Sequence, residues 1–176
     1  DDDLAACEFA GVCARLRKPF VTGVTALTPG QKAALKAAGR KTPVFAAPNM
    51  SPAVNLTFAL AALTAERLKN FDVHVHEAHH AAKRDAPSGT ALRYAERIAA
   101  ARGGELPPIT STRAGDIIGD HTVLFAGPNE SVEITHRARS RALFAAGALK
   151  AAAWLVRRKP GFYDYFDLLE LKDLLK

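Results

Sequence analysis

The chain has few cysteines and no long apolar segment. Its 176 residues include only two cysteines, Cys7 and Cys13, which lie six positions apart on different faces of a predicted helix. This spacing argues against a disulfide framework or a zinc knuckle and favours reduced packing residues. The alanine-rich stretch 142–156 comes closest to a membrane span, but it carries Lys150 and is too short. Because we also find no signal peptide, we expect a cytoplasmic protein.

Positive charge is in modest excess, with a net charge of +6 at pH 7. The basic residues cluster only at 137–141 and 157–159. A nucleic-acid patch is one interpretation, but neither a recognition motif nor interleaved aromatic residues accompany these clusters. A small anionic substrate with an anionic cofactor explains the charge more simply. The hydrophobic content of 48% is enough for the core of one ordinary domain or two small ones.

Helical and strand patterns alternate along the chain. The predicted helices cover residues 4–16, 29–38, a long segment from Pro52 with Ser51 as N-cap, 90–102, 141–157 and 165–175. The predicted strands cover residues 19–22, 42–47, 71–77, 109–118, 121–126 and 131–135. The helix–strand order of the first third indicates a parallel sheet.

The loop between the strand 71–77 and the helix 90–102 carries an anion-binding pattern. Ser88 is a natural N-cap after Pro87. The backbone N–H groups of Gly89 and Thr90 then lie at the positive end of the helix, which favours a carboxylate or phosphate. The missing side chain of Gly89 also lets a ligand approach the backbone closely. The helix start therefore predicts a site for an anionic group, although the same residues are often only a cap.

Titratable side chains precede this helix start in the same loop. Lys83 supplies a mobile ammonium group, and His79 and His80 titrate near neutral pH, so one histidine can act as general acid while the other binds. A zinc site is the weaker alternative, because His74 and His76 share one strand face whereas His79 is predicted to lie beyond the strand. The loop is therefore suited to an anionic substrate that must accept a proton.

The run HHAAKRDAPSGTA at residues 79–91 resembles the signature HHxxKxDAPSGTA of the dihydrodipicolinate (4-hydroxy-tetrahydrodipicolinate) reductases of lysine and diaminopimelate biosynthesis. Every fixed letter of that signature is present. Further similar blocks follow the same order along nearly the whole chain, at residues 23–25, 45–51 with 54–55, 113–122, 133–136, 140–141 with 144–145, and 161–164.

The resemblance implies roles for individual residues. His79 matches the proposed proton donor and Lys83 the lysine that assists it and binds substrate, so both are expected to be catalytic. The residues that match substrate contacts are His80, Ser88, Gly89, Thr90 and Arg141. The residues that match the nicotinamide end of the cofactor site are Gly23, Thr25, Ala47, Pro48 and Asn49. The family reduces a cyclic dicarboxylate by hydride transfer from NADPH or NADH, followed by protonation; no metal is expected.

The resemblance also implies an α/β architecture of two lobes. Residues 1–49 and 142–176 are expected to form the remnant of a Rossmann-like dinucleotide-binding domain. Residues 50–141 are expected to form an α+β substrate-binding domain with a mixed sheet, helices on one face, and a homotetramer contact. In this reading Arg113–Asp116 and His121 order a turn and the oligomer interface, and His136 is a packed strand end.

The sequence departs from the family at its nucleotide-binding end. No G-x-G-x-x-G turn, which would seat a pyrophosphate, is present, and the chain starts at Asp1 as though inside the nucleotide domain of a longer relative. Ala26 and Leu27 stand where the family usually has a glycine and an aromatic residue. Two hypotheses follow: a working reductase, or a non-catalytic dicarboxylate-binding or assembly module. The choice between NADH and NADPH stays open.

Overall fold

The computed structural model describes residues 2–25 and 27–175, so Ala26 lies outside the described residues. In chain order the elements are α1 (Asp2–Leu16), β1 (Phe20–Thr22), α2 (Pro29–Gly39), β2 (Pro43–Ala46), α3 (Pro52–Arg67), β3 (Asp72–His79), α4 (Gly89–Arg102), β4 (Ile109–Arg113), β5 (Asp120–Ala126), β6 (Ser131–Arg137), α5 (Ala142–Leu155), β7 (Gly161–Tyr163) and α6 (Tyr165–Leu168), followed by a 3₁₀ turn over Lys172–Leu175. The α/β class with one parallel and one mixed sheet confirms the predicted fold class.

The chain forms two compact units. The first comprises the residues up to Pro52 together with Ala142–Leu171, and the second comprises Ala53–Arg141 with the residues from Lys172 onward. The first unit therefore includes the residues up to Pro52 before the chain enters the second unit. One reason is the Tyr165 hydroxyl, which donates to the Met50 carbonyl at 2.9 Å and ties that residue to the first unit.

The first unit is built on a parallel sheet in the order β1-β2-β7. Val44 of β2 pairs with Phe20 of β1 on one side and with Phe162 of β7 on the other. The sequence did not predict β7, which has only three residues. Apolar side chains pack in two clusters, one around Leu35 and Val44 and the other around Phe45 and Tyr165. The carboxyl ends of β1 and β2 thus come to the same edge of the sheet.

The second unit is built on a mixed sheet in the order β4-β3-β5-β6. β3 pairs in parallel with β4 and antiparallel with β5, which pairs antiparallel with β6. Val75 and Val123 are fully buried on the inner face, whereas His74 and His76 lie on the other face and both bond the Thr110 hydroxyl, at 2.9 and 3.0 Å. The predicted shared face of the two histidines is confirmed.

Several predicted boundaries were wrong, and three of these differences have a clear physical reason. β3 continues to His79, because its parallel pairing with β4 extends to the pair His79–Arg113. β4 ends at Arg113 instead of residue 118, because the chain turns at Gly115, where φ is +47°. The predicted helix 165–175 stops at Leu168, and Glu170 then adopts a left-handed φ of 57° that an α-helix does not accommodate.

Cys7 and Cys13 are free and partly buried on α1, as the sequence predicts. Across the part of the chain that the structure describes, no helix combines the length and apolar character needed to cross a membrane. The same described residues contain no group of three or more His, Cys, Asp and Glu side chains placed to hold a metal ion.

Candidate active site

β3 places two polar side chains on the buried face of the second unit. Val73, Val75, Glu77 and His79 alternate with residues of the opposite face, and the last two fall where the strand ends. Glu77 is fully buried and His79 is 9% exposed. A carboxylate in such a position needs partners, because burying an uncompensated charge is costly.

Both oxygens of the Glu77 carboxylate accept hydrogen bonds from neighbouring residues. Arg113 Nη1 and Nη2 donate to its two oxygens at 3.0 and 2.8 Å, which is a bidentate ion pair. The backbone N–H of Ser88 donates to Oε1 at 3.3 Å, and His79 Nδ1 is hydrogen-bonded to Oε2. Arg113 Nη2 also donates to the Asp85 carbonyl at 2.6 Å. One carboxylate therefore connects the β3 histidine to the start of α4 and to the preceding loop.

These contacts determine the charge of Glu77 and the tautomer of His79. Burial by itself would raise the pKa of Glu77, but hydrogen bonds from Arg113, Ser111 and His79 outweigh it and lower the pKa to about 2. Glu77 is thus an ionised acceptor, and His79 Nδ1 must carry a proton to bond with it. Nε2 is left as the nitrogen that can take up and release a proton.

The pKa of His79 lies below its ordinary value of 6.5. Burial is the largest cause, and the positive charges of Lys83 and Arg113 lower it further, while Glu77 acts in the opposite direction. His79 Nε2 packs against the backbone of Gly119, where a Cβ would come within 3.0 Å of it. A buried imidazole with a lowered pKa and a fixed orientation is suited to proton transfer.

Ser88 caps α4 as predicted. Its side chain accepts from the Ala91 N–H at 3.2 Å, and Gly103 in the left-handed conformation ends the helix. Gly89 is the first residue of the helix, and a Cβ built on it would find nothing within 4 Å. The backbone at the positive end of the helix is therefore open to an anionic group.

Lys83 lies in the loop between β3 and α4. Its ammonium group donates to Asp85 Oδ1 at 2.7 Å, and this bond lowers the pKa of Asp85. Since an ammonium group has three donors, the ion pair leaves Lys83 able to bind a further anion. The same loop contains a cis peptide bond between Ala86 and Pro87.

His80 and Arg141 lie together at a concavity of about 410 Å³ in the second unit. Arg141 Nη2 is 3.3 Å from His80 Nε2. The walls are formed by Ala81, Ala82, Gly115, Asp116 and Ile118. The structure therefore brings together two residues that lie sixty-one positions apart in the sequence.

The predicted cofactor residues lie in the first unit. Gly23 and Thr25 follow the end of β1, and residues 47–49 follow the end of β2. The Ala47 N–H donates to the Thr22 carbonyl at 3.1 Å, which keeps the two strand ends side by side. Loops at the carboxyl ends of neighbouring parallel strands are where open α/β sheets bind nucleotides.

Comparison with known proteins identifies the family. Residues 53–169 match the family described as dihydrodipicolinate reductase, C-terminus. The chain is 46% identical to the 4-hydroxy-tetrahydrodipicolinate reductase of Desulfotalea psychrophila, over 97% of the chain and 71% of that relative. This chain belongs to the dihydrodipicolinate reductase family. The reductase of Anaeromyxobacter dehalogenans is also 46% identical, over 96% of the chain and 70% of that relative. The chain thus spans the C-terminal part of such reductases, whose activity implies a nicotinamide cofactor.

A solved structure shows the same fold. The dipicolinate-bound dihydrodipicolinate reductase from Paenisporosarcina sp. TG-14 superposes with a TM-score of 0.82, covering 95% of this chain and 70% of that one. The two sequences are 24% identical. The fold of the dihydrodipicolinate reductases is therefore present in this chain despite large sequence differences.

Sequence reasoning missed three polar residues of this cluster. The sequence analysis gave Glu77 no role, although an acidic residue on the apolar face of a strand indicates a buried carboxylate that needs partners. Arg113 and His121 were assigned to a turn and an oligomer interface, but Arg113 binds Glu77, and His121 lies buried with Nε2 3.2 Å from Ser88 Oγ. His136 is a half-buried residue near the end of β6, opposite His121.

Proposed function

We propose that this chain carries the substrate site and proton donor for NAD(P)H-dependent reduction of 4-hydroxy-tetrahydrodipicolinate to tetrahydrodipicolinate. The observation that carries the proposal is the buried Glu77 carboxylate, which binds both His79 and the backbone of Ser88. A proton donor and an anion-binding helix start are thereby held in one fixed arrangement. The reduction of a cyclic dicarboxylate requires both, because a carboxylate must be bound and a proton must be supplied.

The second unit supplies contacts for two carboxylates. One carboxylate is proposed to bind the backbone N–H groups of Gly89 and Thr90 beside Ser88, at the start of α4. Lys83 is proposed to contact the substrate next to His79, and His80 and Arg141 are proposed to hold the substrate from the concavity that they line. Charge complementarity between a dianion and the cations Lys83 and Arg141 favours this substrate class.

The reaction requires a hydride and a proton, and the 4-hydroxyl group of the substrate leaves as water. The nicotinamide, when bound, supplies the hydride, and we propose that Gly23, Thr25 and residues 47–49 hold its ring end. His79 Nε2 then delivers the proton to the reduced substrate, while its Nδ1–H stays bonded to Glu77, which stabilises the imidazolium form that precedes the transfer. Glu77 is a positioning residue in this scheme and keeps its charge throughout.

The direct test follows reduced nicotinamide absorbance with NADPH and NADH in parallel, using the purified chain and enzymatically generated substrate. We expect substrate-dependent oxidation and competitive inhibition by dipicolinate (pyridine-2,6-dicarboxylate). Dipicolinate binding without oxidation of either cofactor would support the non-catalytic module instead. If the chain neither binds dipicolinate nor oxidises a cofactor, the proposed substrate site itself is contradicted.

Lys83 gives a prediction with a matched control. Replacing Lys83 by methionine removes a charge-assisted contact of about 1.5–3 kcal/mol, so we expect dipicolinate affinity to fall about 10–100-fold. Arg84→Met removes the same charge from an exposed neighbouring position and should change affinity less than about threefold, because exposed charges are screened. Isothermal titration of both variants at one ionic strength makes the comparison; equal losses would contradict a direct contact for Lys83.

A homotetramer and a cytoplasmic location belong to the same proposal. The outer face of the mixed sheet carries short polar side chains such as Thr122 and Thr135, whose hydroxyls lie 3.0 Å apart, and such a face can pair with another copy. The two free thiols are usual in a reducing compartment. Light scattering at several protein concentrations should give four times the chain mass; a monomer at every concentration would contradict the tetramer.

A further inference from the structure

His121 lies between the proton donor and the start of α4. It is 4% exposed, its ring centroid is 5.2 Å from that of His79 and 6.0 Å from that of Tyr94, and Nε2 is 3.2 Å from Ser88 Oγ. Its Nδ1 is buried and has no hydrogen-bond partner among the described residues. His121 takes no part in the proposed transfer of the hydride or the proton.

The tautomer of His121 follows from the hydrogen-bond partners of its two ring nitrogens. Burial, with smaller contributions from His79, His136 and Lys83 against Glu77, lowers its pKa to about 3, so the ring is neutral and carries one N–H. On Nδ1 that proton would be a buried donor without a partner, which native proteins rarely contain. On Nε2 it is donated to Ser88 Oγ. The Nε2–H tautomer is therefore the stable one.

With His121 in this tautomer, the Ser88 hydroxyl uses only its oxygen in these contacts and can still donate its hydrogen. Its oxygen already accepts from the Ala91 N–H at 3.2 Å, and in this tautomer it also accepts from His121. Both lone pairs are then occupied, and the hydroxyl hydrogen remains available for donation to a third group. The adjacent Gly89 is exposed, with open space where a Cβ would be, so an acceptor at the helix start can receive this hydrogen.

We propose that His121 is a positioning residue that holds the Ser88 hydroxyl in the orientation in which it donates to a substrate carboxylate. This rests on the proposed function, because the carboxylate is that of the dicarboxylate substrate. With the tautomer reversed, Ser88 would donate to His121 and offer the substrate only a lone pair, which a carboxylate repels. His121 thus makes the site selective for an anionic acceptor.

The test uses dipicolinate as the probe and compares two replacements of His121. Glutamine places an amide N–H near the position of Nε2, so His121→Gln should bind dipicolinate within about twofold of the parent chain. His121→Leu removes the donor and should weaken binding about five- to tenfold. Ser88→Ala should show a similar loss, and the double variant with His121→Leu should lose no more than either single change. A purely structural role would make the two replacements alike.

Nitrogen NMR of the His121 ring in the unsubstituted chain gives a readout that no folding defect can affect. The Nε2–H tautomer supports the proposal, and the Nδ1–H tautomer overturns it. Unchanged affinity in His121→Leu, or fully additive losses with Ser88→Ala, also overturns it. Absence of any dipicolinate binding by the unsubstituted chain overturns the proposed function and this proposal together, whereas binding with the wrong tautomer overturns this proposal alone.

Discussion

Replacing His79 by glutamine is expected to lower turnover by about 10²–10⁴-fold while dipicolinate affinity stays within a few-fold of the parent. Glutamine can still donate to Glu77, so the local packing and the buried carboxylate keep a partner. What it lacks is the second ring nitrogen that takes up and releases a proton. Because the carboxylate contacts lie on other residues, the loss should appear in kcat rather than in ligand binding.

His74→Gln is the matched control for this result. It makes the same substitution on the same strand, but on the opposite face of the sheet, where His74 bonds Thr110. Its turnover should equal that of the parent. Steady-state rates with saturating cofactor check both variants, and near-normal turnover in His79→Gln would contradict the role of proton donor.

Replacing Arg113 by methionine is expected to destabilise the chain by about 3–5 kcal/mol, because it leaves the fully buried Glu77 without its main compensating charge. Replacing both residues by methionine should recover most of this loss, since a buried ion pair exchanged for apolar side chains is often close to neutral. The free energies of unfolding in urea give the comparison.

Arg137→Met is the control for the Arg113 prediction. Arg137 pairs with Asp120 at 3.6 Å, but its side chain is 65% exposed, so the same substitution should cost at most about 1 kcal/mol. Equal losses in the two variants would show that burial of Glu77 has no energetic consequence.

The pH dependence of stability has a definite sign. The folded-state pKa of Glu77, about 2, lies below the ordinary value of 4.5, so its stabilising contribution is complete above about pH 4.5 and is lost as the pH falls towards 2. Without Arg113, the largest of the contributions that lower this pKa is gone, so the pKa of Glu77 moves up from about 2. The loss of stability between pH 4.5 and 2 should therefore be less steep in Arg113→Met than in the parent chain.

The local features of the site were predictable because they depend on neighbouring residues. Ser88 as N-cap, Gly89 at the first helical position and Gly103 as C-cap follow from rules that act over a few residues. The signature then indicated the chemistry of His79 and Lys83 through a resemblance. None of this required knowing which strands are neighbours.

The network beneath the site was not predictable, because it depends on strand order and register. Arg113 reaches Glu77 only because β4 pairs with β3 and not with β5, which follows it in sequence. His121 lies beside His79 because β5 runs antiparallel on the other side of β3. The same pairing carries β3 on to His79, where the apolar–polar alternation of residues 71–77 indicated an earlier end.

The central claim is that the ligand binds beside His79 and that His79 carries the proton for the reaction. Measuring the proton taken up when dipicolinate binds tests this claim most directly. His79 is surrounded by Glu77, Lys83, Arg113 and His121, and its pKa lies below 6.5, so its Nε2 is mostly unprotonated at pH 7. Two ligand carboxylates raise that pKa. Calorimetric titrations in two buffers of different ionisation enthalpy should show uptake approaching about one proton per ligand, absent in His79→Gln and retained in His80→Gln. Binding without proton uptake, or with equal uptake in His79→Gln, would contradict the account.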